Sequence, residues 1–351
     1  MASSTREEVV QDLFNEEAEL ECALWRADPV RAFDIWQRRR LIGVNQRSSL
    51  DERSTRQYAA MFGRVCRWLG ENDSHIVAVR PEELERFLGS IGGRGAAAAD
   101  STVRRYLALV EKVIDHLNDI GVRVDRTQGG SLDNPARDLL RLPRYRYKEP
   151  PAPVFLSQSK SERYIEWVRE QPVEGWVDVR DKALRMVFLA CGVTVDEVRR
   201  MRVSDAIVTD DEGEVTQLQI VGHHAGQTAR VVPVAAWAWG GITRWFRLRK
   251  AMFLESDAFF LARSSDFKLA EPGLDAMSAT EVFTIIQEAM VAIGHTGQRQ
   301  GPQTLRHTFT VRQLLMDVPK ERIAEWLGLQ TTEAVTAVAR QLPRRGGYSP
   351  G

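Results

Sequence analysis

Apolar positions recur at a helical period over most of the chain, and this pattern predicts its first fold elements. Between Ser54 and about Leu140, apolar side chains return every three or four residues, as on one buried face of a helix. Pro81 and the pair Asn134-Pro135 stand where helices commonly begin. The pattern predicts a module of four helices. Its two clearest faces are Tyr58, Met61, Phe62, Val65, Trp68 and Leu69, and Val103, Tyr106, Leu107, Val110, Val113 and Ile114.

A helical stretch with an acidic surface precedes this module. Residues 1–26 space their apolar side chains as an amphipathic helix, and acidic residues outnumber basic ones on its surface. DNA would repel such a face, so we expect it to pack on the protein itself or on a partner, or to remain a solvated surface. A second helical stretch, from Pro29 to Leu41, ends in the basic run Arg38-Arg39-Arg40.

The second half of the chain is mainly helical but changes its period once. Residues 204–234 alternate apolar and polar positions, are rich in β-branched residues, and carry turn signals around 211–213 and 222–226. This pattern predicts a small antiparallel sheet of three strands. The predicted fold class is therefore mainly α (α+β). The predicted helices are Ser157–Val168, Asp178–Ala190, one from Asp196, Ala236–Leu254, Ala279–Gly294, Gly301–Leu315, Lys320–Leu327 and Thr332–Gln341.

Composition narrows the class of protein only a little. The chain has 351 residues, which is typical of two domains, and its 48 basic and 48 acidic side chains give a net charge of zero. Neutrality leaves DNA binding open because only a basic face is needed, but it does not support DNA binding. Cys22, Cys66 and Cys191 are too few and too widely spaced for a disulfide framework or a zinc site, so we expect reduced thiols. We find no apolar run long enough for a membrane span and no secretory signal, and we expect a cytoplasmic protein.

A proline-bearing basic segment joins the two halves. Residues 141–153, RLPRYRYKEPPAP, have the composition of a linker. Its cations could follow a phosphate backbone or could be solvated linker charges, and both interpretations stay open. The basic residues of this segment are Arg141, Arg144, Arg146 and Lys148.

Five short segments carry recognisable motifs. They are NPARDLL before the linker, RDKALRMVFLACGVTVDEVRRM from Arg180 to Met201, VGHHAGQTARVVPV at the predicted hairpin, GPQTLRHTFTV from Gly301 to Val311, and IAEWLG from Ile323 to Gly328. In this order, over about residues 50–342, they resemble the tyrosine-recombinase (phage-integrase) family. The resemblance implies a helical, SAM-like core-binding domain followed by a catalytic-type domain with a small antiparallel sheet.

The reaction catalysed by that family requires particular side chains in these segments. A tyrosine attacks the scissile phosphate, two arginines clamp its oxygens, a lysine protonates the leaving oxygen, and histidines or a tryptophan assist. No metal or cofactor is implied. Arg306 and His307 match the pattern of the second box. At the other expected positions this sequence has Thr194, His223, Gln303, Leu329 and Val338.

The retained residues and the missing nucleophile leave alternatives. Arg306 would contact a phosphate or form a structural salt bridge, for example with Glu197. We expect His307 to be a buried, hydrogen-bonded support. No tyrosine occurs between Tyr164 and Tyr348, so Tyr348, in the C-terminal sequence GGYSPG, is the remaining candidate nucleophile.

Three functions follow from these alternatives. The favoured one is a pseudoenzyme that binds double-stranded DNA and serves as an accessory or architectural subunit in DNA recombination or integration of a mobile element. The second is an active recombinase that uses Tyr348, so enzymatic activity stays open although the replaced residues argue against it. The third is a protein-interaction module without DNA binding, whose last helix would place Val335 and Val338 in a groove of another recombinase or of a second copy. The expected DNA contacts are Arg104, Arg105, Arg141, Arg144, Arg146, Lys148 and Arg306.

The predicted domain organisation combines these patterns with the resemblance. The boundaries follow the shifts in composition and in apolar period along the chain. The predicted parts are a helical extension (1–50), a helical core-binding DNA domain (51–140), a basic linker (141–155), a tyrosine-recombinase catalytic-like domain (156–342) and a flexible tail (343–351).

Overall fold

The computed structural model divides the chain into two compact units, residues 1–149 and residues 150–351. The domain boundaries predicted above stay predictions, and each unit is described by itself. The structure describes residues 19–42, 52–92, 98–123, 133–146, 151–209, 213–222, 229–252, 256–262, 276–296 and 299–342.

The described part of the first unit is helical. Proline or a polar side chain marks several helix starts: Pro81 stands in a first turn, and the side chain of Asn134 accepts hydrogen bonds from the backbone N–H groups of Ala136 and Arg137. After a helical segment at residues 19–27, the helices are α1 (Pro29–Ile42), α2 (Glu52–Glu71), α3 (Pro81–Ser90), α4 (Asp100–Asp119) and α5 (Pro135–Arg141).

The core of this unit includes side chains from the acidic N-terminal stretch. Trp25 and Phe33 are buried, and both rings pack against Phe62 of α2, with centroids 6.1 Å and 4.4 Å away. Glu21 also pairs with His116 of α4 at 3.1 Å. Trp25, in the acidic stretch of residues 1–26, and Phe33, in the second helical stretch, therefore pack on the protein itself, which for the acidic stretch is one of the alternatives expected. Its first eighteen residues lie outside the described part.

The second unit combines helices with one small sheet. The predicted sheet is confirmed: its strands lie in the order β1-β2-β3, both pairs are antiparallel, and β1 slips register between Ile207 and Val208. The elements are α6 (Gln158–Glu170), α7 (Trp176–Cys191), α8 (Val195–Arg200), β1 (Ala206–Thr209), β2 (Glu214–Ile220), β3 (Arg230–Pro233), α9 (Trp239–Ala251), α10 (Ala279–Ala292), α11 (Pro302–Leu315), α12 (Lys320–Leu327) and α13 (Glu333–Ala339).

The central helix α7 positions the candidate site. Ten of its sixteen residues are buried, among them Leu184, Val187 and Phe188. The helix ends at Gly192, whose φ of 64° lies in the left-handed region that favours glycine. A Cβ at this position would lie 2.5 Å from Cδ1 of Phe309 in α11. Close packing at Gly192 thus brings the end of α7 against α11, where the second box lies.

The fold class predicted from the sequence, mainly helical with a small antiparallel sheet, is confirmed. In the part of the chain that the structure describes, no helix has the length and apolar character needed to span a membrane. The cysteines are free, and burial raises the pKa of the Cys66 thiol to about 12 and that of the Cys191 thiol further. Both thiols therefore stay protonated at neutral pH.

Candidate functional site

Thr194 occupies the position where the resemblance implies a phosphate-clamping arginine, and the structure gives it a capping role. It is the N-cap of α8: its hydroxyl accepts from the N–H of Glu197 at 3.3 Å, and its own N–H donates to the Glu197 carboxylate at 2.7 Å. This reciprocal capping box satisfies two N–H groups that a helix start leaves open. Nearby, Arg199 donates to the carbonyl oxygen of Met277 at 2.8 Å, whereas Arg200 is exposed.

Glu197 stands at the centre of a nearly buried charge cluster. Its Oε1 accepts from Nη2 of Arg230 at 2.6 Å, and its Oε2 lies 3.7 Å from Nη1 of Arg306. Burial by itself raises the pKa of this carboxyl, but the charges of Arg230 and Arg306 outweigh that effect and lower the pKa below its ordinary value. The cluster therefore holds two guanidinium groups and one carboxylate, all charged.

Arg306, which the resemblance assigns to the second box, is directed toward the protein backbone. Its guanidinium donates to the carbonyl oxygens of Gly192 and Leu327, the second at 2.6 Å. The residue is 8% exposed, and burial lowers its pKa to about 10, which still leaves it charged at neutral pH. Arg306 thus ties the ends of α7 and α12 together from its place on α11.

The pair Gln303 and His307 lies one turn apart on the same helix. Nδ1 of His307 is 3.0 Å from the carbonyl oxygen of Val154, so this nitrogen carries the proton in the neutral ring. Nε2 then accepts from the Gln303 side-chain amide at 2.9 Å. Burial lowers the pKa of His307 below its ordinary value, which favours this neutral form. Both ring nitrogens of His307 are therefore hydrogen-bonded, and the residue is half-buried.

Apolar side chains stand where the resemblance implies the third-box residue and the nucleophile. Leu329 is partly buried and packs against a cluster that contains Phe309, Ile323 and Val335. Val338 is 2% exposed on α13. Val335 and Val338 are both buried within the chain itself rather than presented for a partner's groove. The last described helix therefore packs in cis in this structure.

The cations expected to contact DNA have different surroundings. Arg104 donates to the carbonyl oxygen of Tyr145 at 2.9 Å, Arg144 pairs with Glu85, and Arg141 pairs with Asp138 at 3.5 Å. Arg105 and Arg146 are exposed, and neither forms an ion pair with another described residue. Lys148, together with His223 and Tyr348, lies outside the described residues.

Sequence reasoning missed Arg230. Arg230 is the first residue of β3. It lies on the same buried face of the strand as Val232, so the alternation along the strand puts a cation at a core position. Nε of Arg230 donates to the carbonyl oxygen of Trp326 at 2.7 Å, in addition to its bond with Glu197. The sequence does contain a capping pattern from Thr194 to Glu197 and, further along, an arginine at a buried strand position. That Glu197 and Arg230 contact each other became evident only from the tertiary structure.

Among the described residues, no group of three or more histidine, cysteine or acidic side chains is arranged to hold a metal ion. The arrangement found instead is a set of guanidinium donors on β3 and α11, directed at one carboxylate and three carbonyl oxygens.

Comparison with known proteins identifies the relatives of this fold. The profile of the phage integrase family matches residues 155–340, more than half of the chain. The chain is a member of the phage integrase family. It is similar to tyrosine recombinase XerC of Shewanella amazonensis, with 27% identity over 170 residues, 48% of this chain and 52% of that relative. The chain thus matches about half the length of this relative.

The chain is also similar to a relative over a longer match and to a solved structure. Tyrosine recombinase XerD of Yersinia pestis is 23% identical over 303 residues, which cover 85% of this phage integrase family chain and 90% of the relative. The solved structure of the XerH site-specific recombinase bound to difH substrate has a TM-score of 0.60 at 14% identity. The match spans 89% of this chain and 94% of the solved XerH chain. At this identity the likeness concerns the fold.

Proposed function

We propose that this phage integrase family member binds double-stranded DNA without cleaving it, and acts as an accessory or architectural subunit in recombination or integration of a mobile element. The observation that carries the proposal is the orientation of Arg306. Its donors are directed at two backbone carbonyls and Glu197, and the side chain is buried. A phosphate clamp needs guanidinium N–H groups that are free to receive phosphate oxygens.

The other reaction positions support a non-catalytic role. Thr194 caps a helix, and its hydroxyl provides no cationic donor for a phosphate. Val338, at the expected nucleophile position, has no hydroxyl and is packed inside the unit. Loss of one preorganised transition-state donor typically lowers the rate by about 100- to 1000-fold, and here several reactive groups are replaced together.

Retention of DNA binding is supported by the relatives and by exposed cations. The solved structure of the XerH site-specific recombinase shows that protein bound to difH substrate. In this chain Arg105 of α4 and Arg146 are exposed and available for phosphate contacts. Backbone contacts of this kind position a protein on a duplex without any catalytic residue.

Two measurements test the two halves of the proposal. Fluorescence anisotropy with a labelled duplex at increasing salt should give an affinity that falls linearly on a log–log plot, as counterion release requires. A nicked suicide substrate should give no covalent protein–DNA adduct. Salt-independent or absent binding would remove the DNA-binding half and favour a protein-interaction module.

A covalent adduct would remove the non-catalytic half. Tyr348→Phe is the matched control in that case, because it deletes one hydroxyl from the remaining candidate nucleophile. Loss of the adduct in Tyr348→Phe would identify the chain as an active recombinase with a displaced nucleophile. Persistence of the adduct would point to another nucleophile in the chain.

A further inference from the structure

A cavity of about 380 Å³ opens on the second unit where α6, α7 and α9 meet. Its volume lies in the range of about 300–1,000 Å³ that small-molecule sites occupy. The charged residues that line it are all cations: Arg169, Lys182 and Arg244. The rest of the wall is formed by Trp237, by Gly240 and Gly241 in the first turn of α9, and by aliphatic side chains.

The three cations share the lining of one cavity. Nζ of Lys182 donates to the carbonyl oxygens of Arg169 at 2.5 Å and Gln171 at 3.1 Å, which fixes it at the end of α6. Burial, and then the charge of Arg244, lower the pKa of Lys182. Among the residues that the structure describes, no carboxylate forms an ion pair with any of the three. The charge of Arg244 therefore acts against that of Lys182, and an anion bound between them would offset it.

The wall is complementary to a ligand with acceptor oxygens. Its three cations can donate charge-assisted hydrogen bonds to such a ligand, and Trp237 forms part of the wall beside them.

We propose that this cavity binds the phosphate group of a small phosphate monoester. A monoester carries about −1.5 to −2 charges at neutral pH and three acceptor oxygens, which matches a cluster of three cations better than a single carboxylate does. The site is separate from the Arg306 cluster: ten residues of helical rise put Lys182 about 15 Å from Gly192 along the direction of α7. The inference goes beyond the proposed function and does not depend on it.

The binding test uses the full chain with inorganic phosphate and with adenosine 5′-monophosphate as probes. Isothermal titration calorimetry and thermal melting are measured against sodium chloride and sodium acetate at equal ionic strength. Both phosphate probes should bind and raise Tm relative to the two controls. If neither phosphate probe differs from acetate, the proposal is overturned.

Two variants locate the site, and one controls for charge. Arg244→Gln removes a cavity cation and should weaken phosphate binding about tenfold, the effect of losing one charge-assisted hydrogen bond. Lys250→Gln removes the same charge from an exposed position on the same helix, outside the cavity lining, and should leave the affinity unchanged. A Cβ on Gly240 would meet no atom within 4 Å, so Gly240→Leu adds a large side chain to the cavity wall and should reduce binding. Equal affinities in Arg244→Gln and Lys250→Gln would contradict the site.

A third arm separates a free monoester from the phosphates of a DNA backbone. Duplex DNA is titrated into the native chain and into Gly240→Leu. An unchanged duplex affinity together with lost monoester binding supports the small-molecule site. If the duplex affinity falls while the monoester never binds, the phosphate belongs to DNA and the monoester assignment is wrong.

Discussion

Arg230 and Glu197 form a nearly buried ion pair, with Nη2 of the arginine 2.6 Å from Oε1 of the glutamate and side chains 7% and 10% exposed. The pair joins strand β3 to helix α8. Nε of the same guanidinium reaches the carbonyl oxygen of Trp326 at the end of α12. One arginine thus links three elements that are far apart in sequence.

Removal of Arg230 should destabilise the second unit strongly. Arg230→Met leaves Glu197 with the longer contact to Arg306 and the hydrogen bond from the Thr194 N–H, and breaking a buried pair costs about 3 kcal/mol or more. The measurement is urea unfolding, followed by a probe that reports on this unit alone, because a chain of two units need not unfold in one step. Arg322→Met is the control, since Arg322 pairs with Glu325 at 2.8 Å where both side chains are more than half exposed, and it should change stability by about 0.5 kcal/mol or less. Similar costs for the two variants would contradict a structural role for the pair.

Acid should weaken the protein through Glu197. The two arginines hold its folded-state pKa below the ordinary value of 4.5, so the unfolded chain binds the proton more readily. The stabilisation is present above pH 4.5 and is lost as the pH falls through the folded-state pKa. Glu197→Gln should be less stable than the native chain at neutral pH, and its unfolding free energy should fall less steeply below pH 4.5. Parallel pH profiles for the two proteins would show that Glu197 is not the group concerned.

Gly192 should tolerate substitution less well than another glycine of the same backbone class. Gly294 has φ of 72° with nothing within 4 Å of an added Cβ, so Gly294→Ala should cost only the left-handed conformation, about 1–2 kcal/mol. Gly192→Ala also brings its Cβ too close to the ring of Phe309. It should therefore lower the free energy of unfolding by about 1–3 kcal/mol more than Gly294→Ala, the usual range for overpacking. Thermal melting of both variants provides the comparison. Equal losses would mean that Phe309 moves aside freely.

The last helix should stabilise the chain that carries it. Val335 is fully buried, and Val335→Ala removes two methyl groups, so it should cost about 2 kcal/mol from lost burial and the cavity left behind. Arg340→Ala at the exposed end of the same helix should cost about 0.5 kcal/mol or less. Stability is measured by denaturant unfolding and oligomeric state by light scattering. A change of oligomeric state with unchanged stability would indicate that the helix docks on another copy.

Exposed cations should account for the salt dependence of DNA binding. Arg105→Gln should weaken binding to any duplex and reduce the slope of log affinity against log salt by about 0.9, the contribution of one phosphate contact. Arg137→Gln removes the same charge from a side chain already paired with Glu111 at 3.1 Å and Asp115 at 2.6 Å, and should leave the slope unchanged. An unchanged slope in Arg105→Gln would take α4 out of the DNA interface.

Much of the fold could be predicted because its elements have clear local periods. The apolar spacing in α4 and the alternation over residues 204–234 are each set by short-range geometry, so helix and sheet were predictable before any contact was known. The burial of Trp25 and Phe33 against Phe62 was not, since an acidic amphipathic helix is equally compatible with the protein's own core, a partner or solvent.

The candidate site likewise has features that the sequence predicts and features that only the tertiary structure decides. The sequence alone determined which side chains stand at the positions that the resemblance assigns to catalysis, because the presence of Thr194 or Val338 there is a matter of residue identity. Only the tertiary structure decided what the remaining groups do. Arg306 is the same guanidinium whether it faces a phosphate or two carbonyls, and its role depends on how close α7, α12 and Glu197 are brought to it. Those distances are set by packing between distant segments, in particular the approach of Phe309 to Gly192, which no local pattern encodes.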